Sequence, residues 1–325
     1  MRVTIFGQTS DGRPVHAIDL AAGTLSVRLL TLGSAVQDLR LSGLPWELTL
    51  GLSSVAEYEA TAGGYFGVLV GPVANRLSAA QAPIAGRLHR FAANEGPNLL
   101  HSGPLGTQAR VWTLADASAT QAKLTLDLPD GDGGFPGNRR VTALWTVEAP
   151  ATLRLELTGT TDAPTLMNLA NHSYWNLDGS IDWTGHRLRI AADAWLPTGP
   201  DGLPTGEIAP AAGMMDFRTA RELTPGAPAL DHCFCLAPAR RALTEVAWLT
   251  GTSGVTMTLA TTEPGLQVYD GRSAIRDGGG AHEGLALEAQ GWPDAPNHPG
   301  FPGIEISPEA AYRQTTEWRC AAPDV

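Results

Sequence analysis

Short runs in which apolar and polar residues alternate dominate this chain, and they constrain its fold more than any other feature. The alternation is clear in residues 24–29, 151–157 and 186–190. Because successive side chains of a β-strand point to opposite faces, such runs predict strands with one buried face. Glycine and proline together number 61 residues, 37 plus 24, and they lie between these runs, as in turns between short strands. The pattern predicts an all-β protein of mostly antiparallel strands.

Two local predictions accompany this fold class. Residues 245–250 and 255–259 flank the sequence Gly-Thr-Ser-Gly at 251–254 and predict a β-hairpin. Helical periodicity is scarce, and the best candidate helix covers residues 53–60, with Ser53 or Ser54 as its N-cap. No low-complexity linker or fixed-period repeat divides the chain, and β domains of this size are common. We therefore expect residues 1–325 to form one domain.

The charge balance disfavours several classes of partner. The 325 residues carry a formal net charge of -11, whereas nucleic acids and anionic membranes are bound by basic surfaces. Lys123 is the only lysine, and it lies in an alternating run where an exposed strand position is expected. Schiff-base and P-loop chemistry, which both use lysine, are therefore disfavoured. The composition predicts neither a nucleic-acid nor a membrane partner.

Three further features bear on the cellular location. No apolar run reaches the roughly 18 residues of a membrane-spanning helix, and the first ten residues lack the apolar core of a signal peptide. The cysteines number three, few and odd, as in proteins of a reducing compartment. Cys233 and Cys235 lie two apart in one strand-like run and are more typical of small buried hydrophobic residues than of metal or redox groups. We expect a cytoplasmic protein.

His172 is the strongest candidate for catalysis. It interrupts a strand-like run at residues 168–177 and has polar and aromatic neighbours. The ordinary pKa of histidine lies near neutrality, so this side chain can give or take a proton. Residues 287–294 supply Glu288 as a candidate partner. Its run is otherwise apolar, and this favours a buried functional carboxylate over an exposed edge residue.

Polar residues at other strand ends form a second set of candidates. Asn75 and Arg76 follow an apolar run, where they offer donors for a hydroxyl-rich ligand or form a solvated surface turn. His101 ends a polar loop, and a single histidine there is more often structural. Asp231 and Gln267 lie in strand-like segments. Each of these signals is weak when taken alone.

Together the polar segments form an ordered series of motifs. They are Ala-Asn-Arg at 74–76, Asn-Leu-Leu-His at 98–101, Gly-Phe-Pro-Gly-Asn at 134–138, Asn-His-Ser-Tyr-Trp-Asn-Leu at 171–177, Asp-His at 231–232, Glu-Pro-Gly-Leu-Gln at 263–267, and Leu-Glu-Ala-Gln at 287–290 with Pro-Asp at 293–294 and Pro-Asn at 296–297. The strings at 171–177 and 287–290 are the most specific. From about residue 7 to residue 318, the chain closely resembles the aldose 1-epimerases, also called galactose mutarotases.

That resemblance implies a fold, a reaction and a set of roles. The fold is a large twisted antiparallel β-sandwich of the galactose mutarotase type, with a sugar cleft across one sheet, no cofactor and no metal. The reaction interconverts the α and β anomers of a free monosaccharide by ring opening and reclosure. Glu288 corresponds to the general base and His172 to the general acid. The remaining positions of the motifs correspond to sugar-binding residues, namely Asn75, Arg76, His101, Tyr174, Asp231 and Gln267.

The reaction explains why these residue types are needed. Ring opening requires Glu288 as a carboxylate and His172 as an imidazolium. Asp231 is a candidate for stabilising His172 or His101 as a cation, because an adjacent carboxylate favours the charged ring. An aromatic face for the sugar ring is expected from one of two tryptophans, Trp175 or Trp292.

Three departures from the family strings leave the preferred sugar open. Pro72 stands where many relatives have an arginine, Ser102 replaces the first glycine of a His-Gly-Gly string, and residues 270–275 differ from the usual Thr-Gly-Asn-Phe string. Galactose or glucose is the default substrate, and a pentose, a deoxy sugar or a ketose is an alternative. A non-catalytic sugar-binding protein and a hexose 6-phosphate mutarotase are rival functions, and the acidic, lysine-poor composition disfavours the second. Monomer and homodimer are both compatible with the sequence.

Overall fold

Antiparallel strands make up most of the computed structural model, which describes residues 2–323. The outermost residues of the expected domain, 1, 324 and 325, lie outside the described residues. The described strands form three sheets of four or more strands together with four two-stranded ladders. Neighbouring strands in all of them run antiparallel. The predicted all-β class is therefore confirmed.

A nine-stranded sheet, called the large sheet below, forms one layer. In spatial order its strands are Thr113–Ala117, Gln121–Leu128, Arg139–Glu148, Thr152–Thr161, Tyr312–Ala321, Thr256–Thr261, Thr244–Thr250, Arg187–Ile190 and Arg221–Glu222. The alternating sequence buries one face of these strands, which contributes Trp145, Leu155 and Trp318 to the main apolar core. The predicted hairpin is confirmed as the pair Thr244–Thr250 and Thr256–Thr261.

A six-stranded sheet, called the site sheet below, faces the large sheet. In spatial order its strands are Tyr174–Trp175, Leu285–Gln290, Gly265–Tyr269, Asp231–Cys235, Ala194–Trp195 and Ala209–Pro210. Leu285 and Leu287 join the same apolar core as Trp318 of the large sheet, and the rings of Trp175 and Trp318 lie 6.2 Å apart. The two sheets therefore enclose one core, as in the predicted sandwich.

Glu288 lies in an interior strand of the site sheet, Leu285–Gln290, in which all six residues are buried. Its neighbours Leu287 and Ala289 point to the opposite face, because side chains alternate along a strand. The alternative interpretation of Glu288 as an exposed edge residue is therefore wrong. Lys123, by contrast, is exposed on its strand as predicted.

Smaller elements complete the fold. The four-stranded sheet consists of Arg2–Gln8, Pro14–Ala22, Leu25–Leu30 and Val36–Leu41. The two-stranded ladders pair Thr165–Leu166 with Glu305–Ile306, Ala170–Asn171 with Leu69–Val70, Arg76–Leu77 with Leu99–Leu100, and Gln81–Ile84 with Arg87–Arg90. The ladder of Arg76–Leu77 with Leu99–Leu100 holds the segments around residues 76 and 100 together.

Helices are few and short. The predicted helix is confirmed at Val55–Ala60, where Oγ of the N-cap Ser54 accepts the backbone N–H of Glu57 at 3.2 Å. One-turn 3-10 helices occur at Ala62–Gly64, Ser78–Ala80, Gly103–Leu105, Thr107–Ala109, Asp132–Gly134, Gly213–Met215 and Ala295–Asn297. No helix within residues 2–323 has the length and apolar character needed to cross a membrane.

Candidate active site

A cleft of about 270 Å³ on the site sheet brings the candidate residues together. Seven of the eight candidates border it, namely Asn75, Arg76, His101, His172, Tyr174, Asp231 and Glu288. The eighth, Gln267, pairs with Glu288 on the neighbouring strand, and its Nε2 donates to Oδ1 of Asp231 at 2.7 Å. A cleft of this size is close to the lower end of the range for small-molecule sites.

His172 and Glu288 face each other in this cleft. The backbone of His172 is fixed by hydrogen bonds to Val68 and Gly67, at 2.9 and 3.1 Å, whereas Glu288 is held by its interior strand. Nε2 of His172 lies 3.5 Å from Oε1 of Glu288, and both side chains are buried. Within residues 2–323, Nδ1 of His172 and Oε2 of Glu288 have no hydrogen-bond partner. Each side chain therefore keeps an unpaired polar atom.

Burial controls the protonation of this pair. It lowers the pKa of His172 to about 4, and it raises the pKa of Glu288 well above its ordinary value. The negative charge of Asp231 raises the pKa of Glu288 further, whereas the positive charge of Arg76 opposes the rise. These directions favour a neutral His172 with the proton on Glu288. The general-acid role expected for His172 needs the opposite arrangement, with the proton on the imidazole.

Asp231 has polar partners other than the two histidines. It accepts a hydrogen bond from Gln267 and lies beside Arg76, and its charge acts on Glu288. The pKa of His101 is lowered well below its ordinary value by burial, and then by its neighbours His172 and Arg76. Burial is the largest effect on the pKa of both rings, and it disfavours the cationic form that Asp231 is expected to stabilise.

Asn75 fixes His101 in one tautomer. Both residues have left-handed backbone conformations, with φ angles of 61° and 48°. The N–H of His101 donates to the carbonyl oxygen of Asn75 at 2.9 Å, and the N–H of Asn75 donates to Nδ1 of His101 at 3.1 Å. Because Nδ1 accepts, the hydrogen of the neutral ring lies on Nε2. His101 therefore contributes an N–H donor to the site.

The same tautomer argues against a metal ion. Ligand atoms of His101, His172 and Glu288 lie within 4.8 Å of one another, and two histidines with one carboxylate are a ligand set used for divalent metals. A metal ligand needs a free lone pair, but Nε2 of His101 carries the hydrogen and Nδ1 is occupied by Asn75. The donor set is better suited to proton transfer and hydroxyl binding.

Arg76 lies between two carboxylates that border the cleft. Its Nε and Nη2 donate to the two oxygens of Glu95 at 2.7 and 2.9 Å, and its Nη1 lies 3.6 Å from Oδ2 of Asp231. The planar guanidinium is thereby held in one orientation. It presents donors next to acceptors, the combination that neighbouring sugar hydroxyls require.

Tyrosines form the aromatic walls of the cleft. The ring centroid of Tyr65 lies 4.5 Å from that of His101 and 5.6 Å from that of His172. The ring of Tyr174 lies 5.0 Å from that of His172. Tyr269 borders the cleft as well.

The predicted tryptophan contact is wrong. Trp175 follows Tyr174 in its strand, so its side chain points to the opposite face and enters the main core. Trp292 packs in a separate apolar cluster, where its Nε1 donates to the carbonyl oxygen of Pro264 at 2.9 Å. Neither tryptophan borders the cleft.

The cleft residues that were not predicted from the sequence include Tyr65, Glu95 and Arg272. Glu95 lies only three residues before the motif at 98–101, and this proximity was the one feature of the sequence that could have indicated its place in the cleft. Tyr65 follows two glycines in a segment without a periodic pattern, and nothing local distinguishes it from a surface tyrosine.

Comparison with known proteins identifies the family. The family model described as aldose 1-epimerase matches residues 16–319. The chain belongs to the aldose 1-epimerase family. The prediction from the motifs is confirmed, and with it the class of enzyme, an isomerase that acts on carbohydrates.

Individual members of the aldose 1-epimerase family agree in sequence and in structure. The galactose mutarotase of Mus musculus is 32% identical, with 96% of each chain covered. The aldose 1-epimerase of Escherichia coli strain K12 is 30% identical over 96% of this chain and 97% of its own. The solved galactose 1-epimerase of Lactobacillus acidophilus superposes with a TM-score of 0.87 at 26% identity and 99% coverage of both chains. A solved aldose epimerase homologue from C. elegans gives the same TM-score and identity, over 95% of this chain and 99% of its own.

Of the three departures from the common aldose 1-epimerase strings, only the segment at 270–275 changes the cleft. Ser102 lies behind it, where its Oγ accepts the N–H of Val73 at 2.9 Å and donates to the carbonyl oxygen of Val73 at 3.1 Å. Pro72 does not border the cleft either. Arg272 does, and its guanidinium is held by both oxygens of the buried Asp270 at 2.8 Å.

Proposed function

We propose that this aldose 1-epimerase catalyses the mutarotation of a free monosaccharide, with Glu288 as the general base and His172 as the general acid. The observation that carries the proposal is the buried pair itself, with Nε2 and Oε1 3.5 Å apart in a cleft bordered by hydroxyl-binding groups. One acid and one base placed in this way each contribute about 10²–10⁴-fold to the rate.

The proposed reaction moves one proton between two sugar oxygens. The carboxylate of Glu288 removes the proton from the C1 hydroxyl, and the electrons of that O–H bond form the aldehyde C=O. The C1–O5 bond breaks at the same time, and its electron pair takes a proton from the imidazolium of His172. Rotation about C1–C2 then turns the aldehyde, and the reverse transfers close the ring on its other face. The pair ends with the number of protons it had at the start.

The pair must become ionised before it can react in this way. Burial favours the proton on Glu288, whereas the reaction needs it on His172. Both arrangements hold one proton, so substrate binding only has to move it between the two side chains. Hydrogen bonds from sugar hydroxyls to the Glu288 carboxylate, together with the positive charge of Arg76, favour the ionised arrangement.

The other residues of the cleft are proposed to hold the sugar. Arg76 and the Nε2–H of His101 donate to sugar oxygens, and Asp231 accepts from a sugar hydroxyl. Gln267 orients Asp231 through its hydrogen bond of 2.7 Å. Asn75 supports sugar binding indirectly, because its N–H donates to Nδ1 of His101 and so keeps the hydrogen of that ring on Nε2. Tyr174 contacts the sugar from the side of the site sheet.

Galactose is the first candidate substrate, because the curated relatives from Mus musculus and Homo sapiens are galactose mutarotases at 32% and 31% identity. Arg76 and Arg272 border the cleft, but each guanidinium is already paired with a carboxylate, that of Glu95 and that of Asp270, and this disfavours the binding of a phosphate group. We therefore favour a neutral aldose over a hexose 6-phosphate.

Anomeric-exchange NMR tests the proposal directly. The rates of exchange between α and β signals are measured for galactose, glucose, arabinose, fructose and glucose 6-phosphate, with and without enzyme. Catalysed exchange of a free aldose is expected. Saturable binding of a sugar without any acceleration of its exchange would instead identify a non-catalytic sugar-binding protein and refute the proposal.

Three coarser expectations accompany this function. We propose that residues 1–325 act as one domain, that the protein is a monomer or a homodimer, and that it resides in the cytoplasm. The last is supported by Cys233, Cys235 and Cys320, which are all free thiols. Size-exclusion chromatography with light scattering distinguishes the two oligomeric states.

A further inference from the structure

Tyr65 contacts both histidines of the site without belonging to the site sheet. It follows the one-turn helix Ala62–Gly64, and its ring lies edge-on to His101 and tilted over His172. Its backbone has a φ angle of 53°, a left-handed conformation that is unfavourable for a tyrosine. Such conformations concentrate at functional sites, where the surrounding structure holds them in place.

Tyr65 borders the cleft together with the charged side chains of Glu95, Arg76 and Glu288. After burial, the charges of these three groups have the largest effects on the pKa of its phenol. Burial raises the pKa of Tyr65 to about 12. The hydroxyl therefore keeps its hydrogen at neutral pH and is available as a donor.

The hydroxyl of Tyr65 has no hydrogen-bond partner in the described part of the chain, whereas the hydroxyls of two other tyrosines do. The hydroxyl of Tyr58 accepts the backbone N–H of Leu52 at 3.5 Å, and the hydroxyl of Tyr269 accepts the N–H of Ser273 at 2.9 Å. The Tyr65 hydroxyl makes no hydrogen bond to any group in the described part of the chain. A tyrosine that serves only in packing usually satisfies its hydroxyl in the protein or in bulk water. A donor left free inside a sugar cleft is instead suited to a ligand oxygen.

We propose that Tyr65 is a substrate-contacting residue of this epimerase: its hydroxyl donates a hydrogen bond to a sugar oxygen, and its ring covers His101 and His172 against water. The inference rests on the proposed mutarotase function. It adds a sugar contact from a segment outside the site sheet, beside His101 and His172. Tyr65 itself takes no proton from the sugar.

The substitution Tyr65→Phe tests the hydroxyl contact, because it removes one oxygen and keeps the ring. KM for galactose is expected to rise about 3- to 10-fold, the loss typical of one neutral hydrogen bond, while kcat changes less. Tyr58→Phe is the matched control, since Tyr58 lies outside the cleft, and its KM should equal that of the wild type. An unchanged KM in Tyr65→Phe would overturn the proposal.

The substitution Tyr65→Leu tests the ring. Glu288, His101 and Tyr174 still surround His172 in this variant, so only the covering ring is removed. Water then reaches His172, and the acid limb of kcat/KM is expected to move from near pH 4 toward pH 6.5. An unmoved acid limb in a variant with a wild-type circular dichroism spectrum would refute the covering role. If the wild type itself failed to catalyse exchange, the proposed function would fail instead, so the two failures are distinguishable.

Discussion

Nε2 of His172 lies 3.5 Å from Oε1 of Glu288, and the two side chains are buried against each other. The second polar atom of each side chain, Nδ1 of His172 and Oε2 of Glu288, has no hydrogen-bond partner among residues 2–323. The pair therefore pays a desolvation cost in either ionised form, which is why its pKa values move toward neutral side chains. Four predictions depend on this relationship and on the groups around it.

Removing either member of the pair should abolish most of the activity. Glu288→Gln cannot accept a proton and His172→Asn cannot donate one, so kcat should fall at least about 10²-fold in each variant. Polarimetry of freshly dissolved α-galactose measures the rate after subtraction of the spontaneous reaction. His89→Asn is the control, because His89 lies on the hairpin Gln81–Ile84 and Arg87–Arg90, which does not border the cleft. Near wild-type rates in either variant would refute the role of that residue as general base or general acid.

Glu288→Gln should make the fold more stable at pH 7. Because the folded pKa of Glu288 lies above its unfolded value of 4.5, its stabilising effect is complete below pH 4.5 and is lost as pH rises through the folded pKa. The neutral amide avoids that loss, so the free energy of unfolding at pH 7 should rise by about 0.5–2 kcal/mol. Urea unfolding at pH 7 and pH 4 measures the difference, which should shrink at pH 4. A less stable variant at pH 7 would contradict the prediction.

The pH profile of kcat/KM should be bell-shaped. Near pH 4 His172 gains a proton while Glu288 is still protonated, so no base remains, and above the raised pKa of Glu288 no acid remains. Asp231→Asn removes a negative charge that raises the pKa of Glu288, so its alkaline limb should move to lower pH while its acid limb stays in place. Polarimetric rates from pH 3.5 to 9 check both limbs. If the alkaline limb moved to higher pH in Asp231→Asn, Asp231 would not be the residue that raises the pKa of Glu288.

Arg76→Lys should weaken sugar binding more than it slows the chemistry. Lysine keeps the charge but cannot make the two parallel bonds to Glu95 while it also approaches Asp231. KM should rise about 10-fold or more, with a smaller change in kcat. Arg140→Lys, whose exposed pair with Asp127 lies on the large sheet, is the control and should leave KM unchanged. Equal losses of kcat and kcat/KM would instead show that Arg76 makes an interaction that exists only in the transition state.

The candidate site was largely predictable because its polar strings interrupt an otherwise regular alternation. His172 and Glu288 stand out for this reason, and the family motifs link them to each other and to Arg76. Their mutual distance could not be predicted, because it depends on how Leu285–Gln290 pairs beside Tyr174–Trp175 in the site sheet. The tryptophan prediction was wrong for a related reason, since one residue of register decides whether Tyr174 or Trp175 faces the cleft.

Alternation and motif order are local properties, and they are enough to predict the strand-rich fold, the hairpin at Thr244–Thr250 and Thr256–Thr261, and the family. The protonation of His172 and Glu288 and the presence of Tyr65 in the cleft depend instead on how distant segments pack together. Desolvation depends on what covers a side chain, and the covering groups come from segments far apart in the chain. A histidine with an ordinary pKa near neutrality thus becomes a neutral ring when the fold buries it.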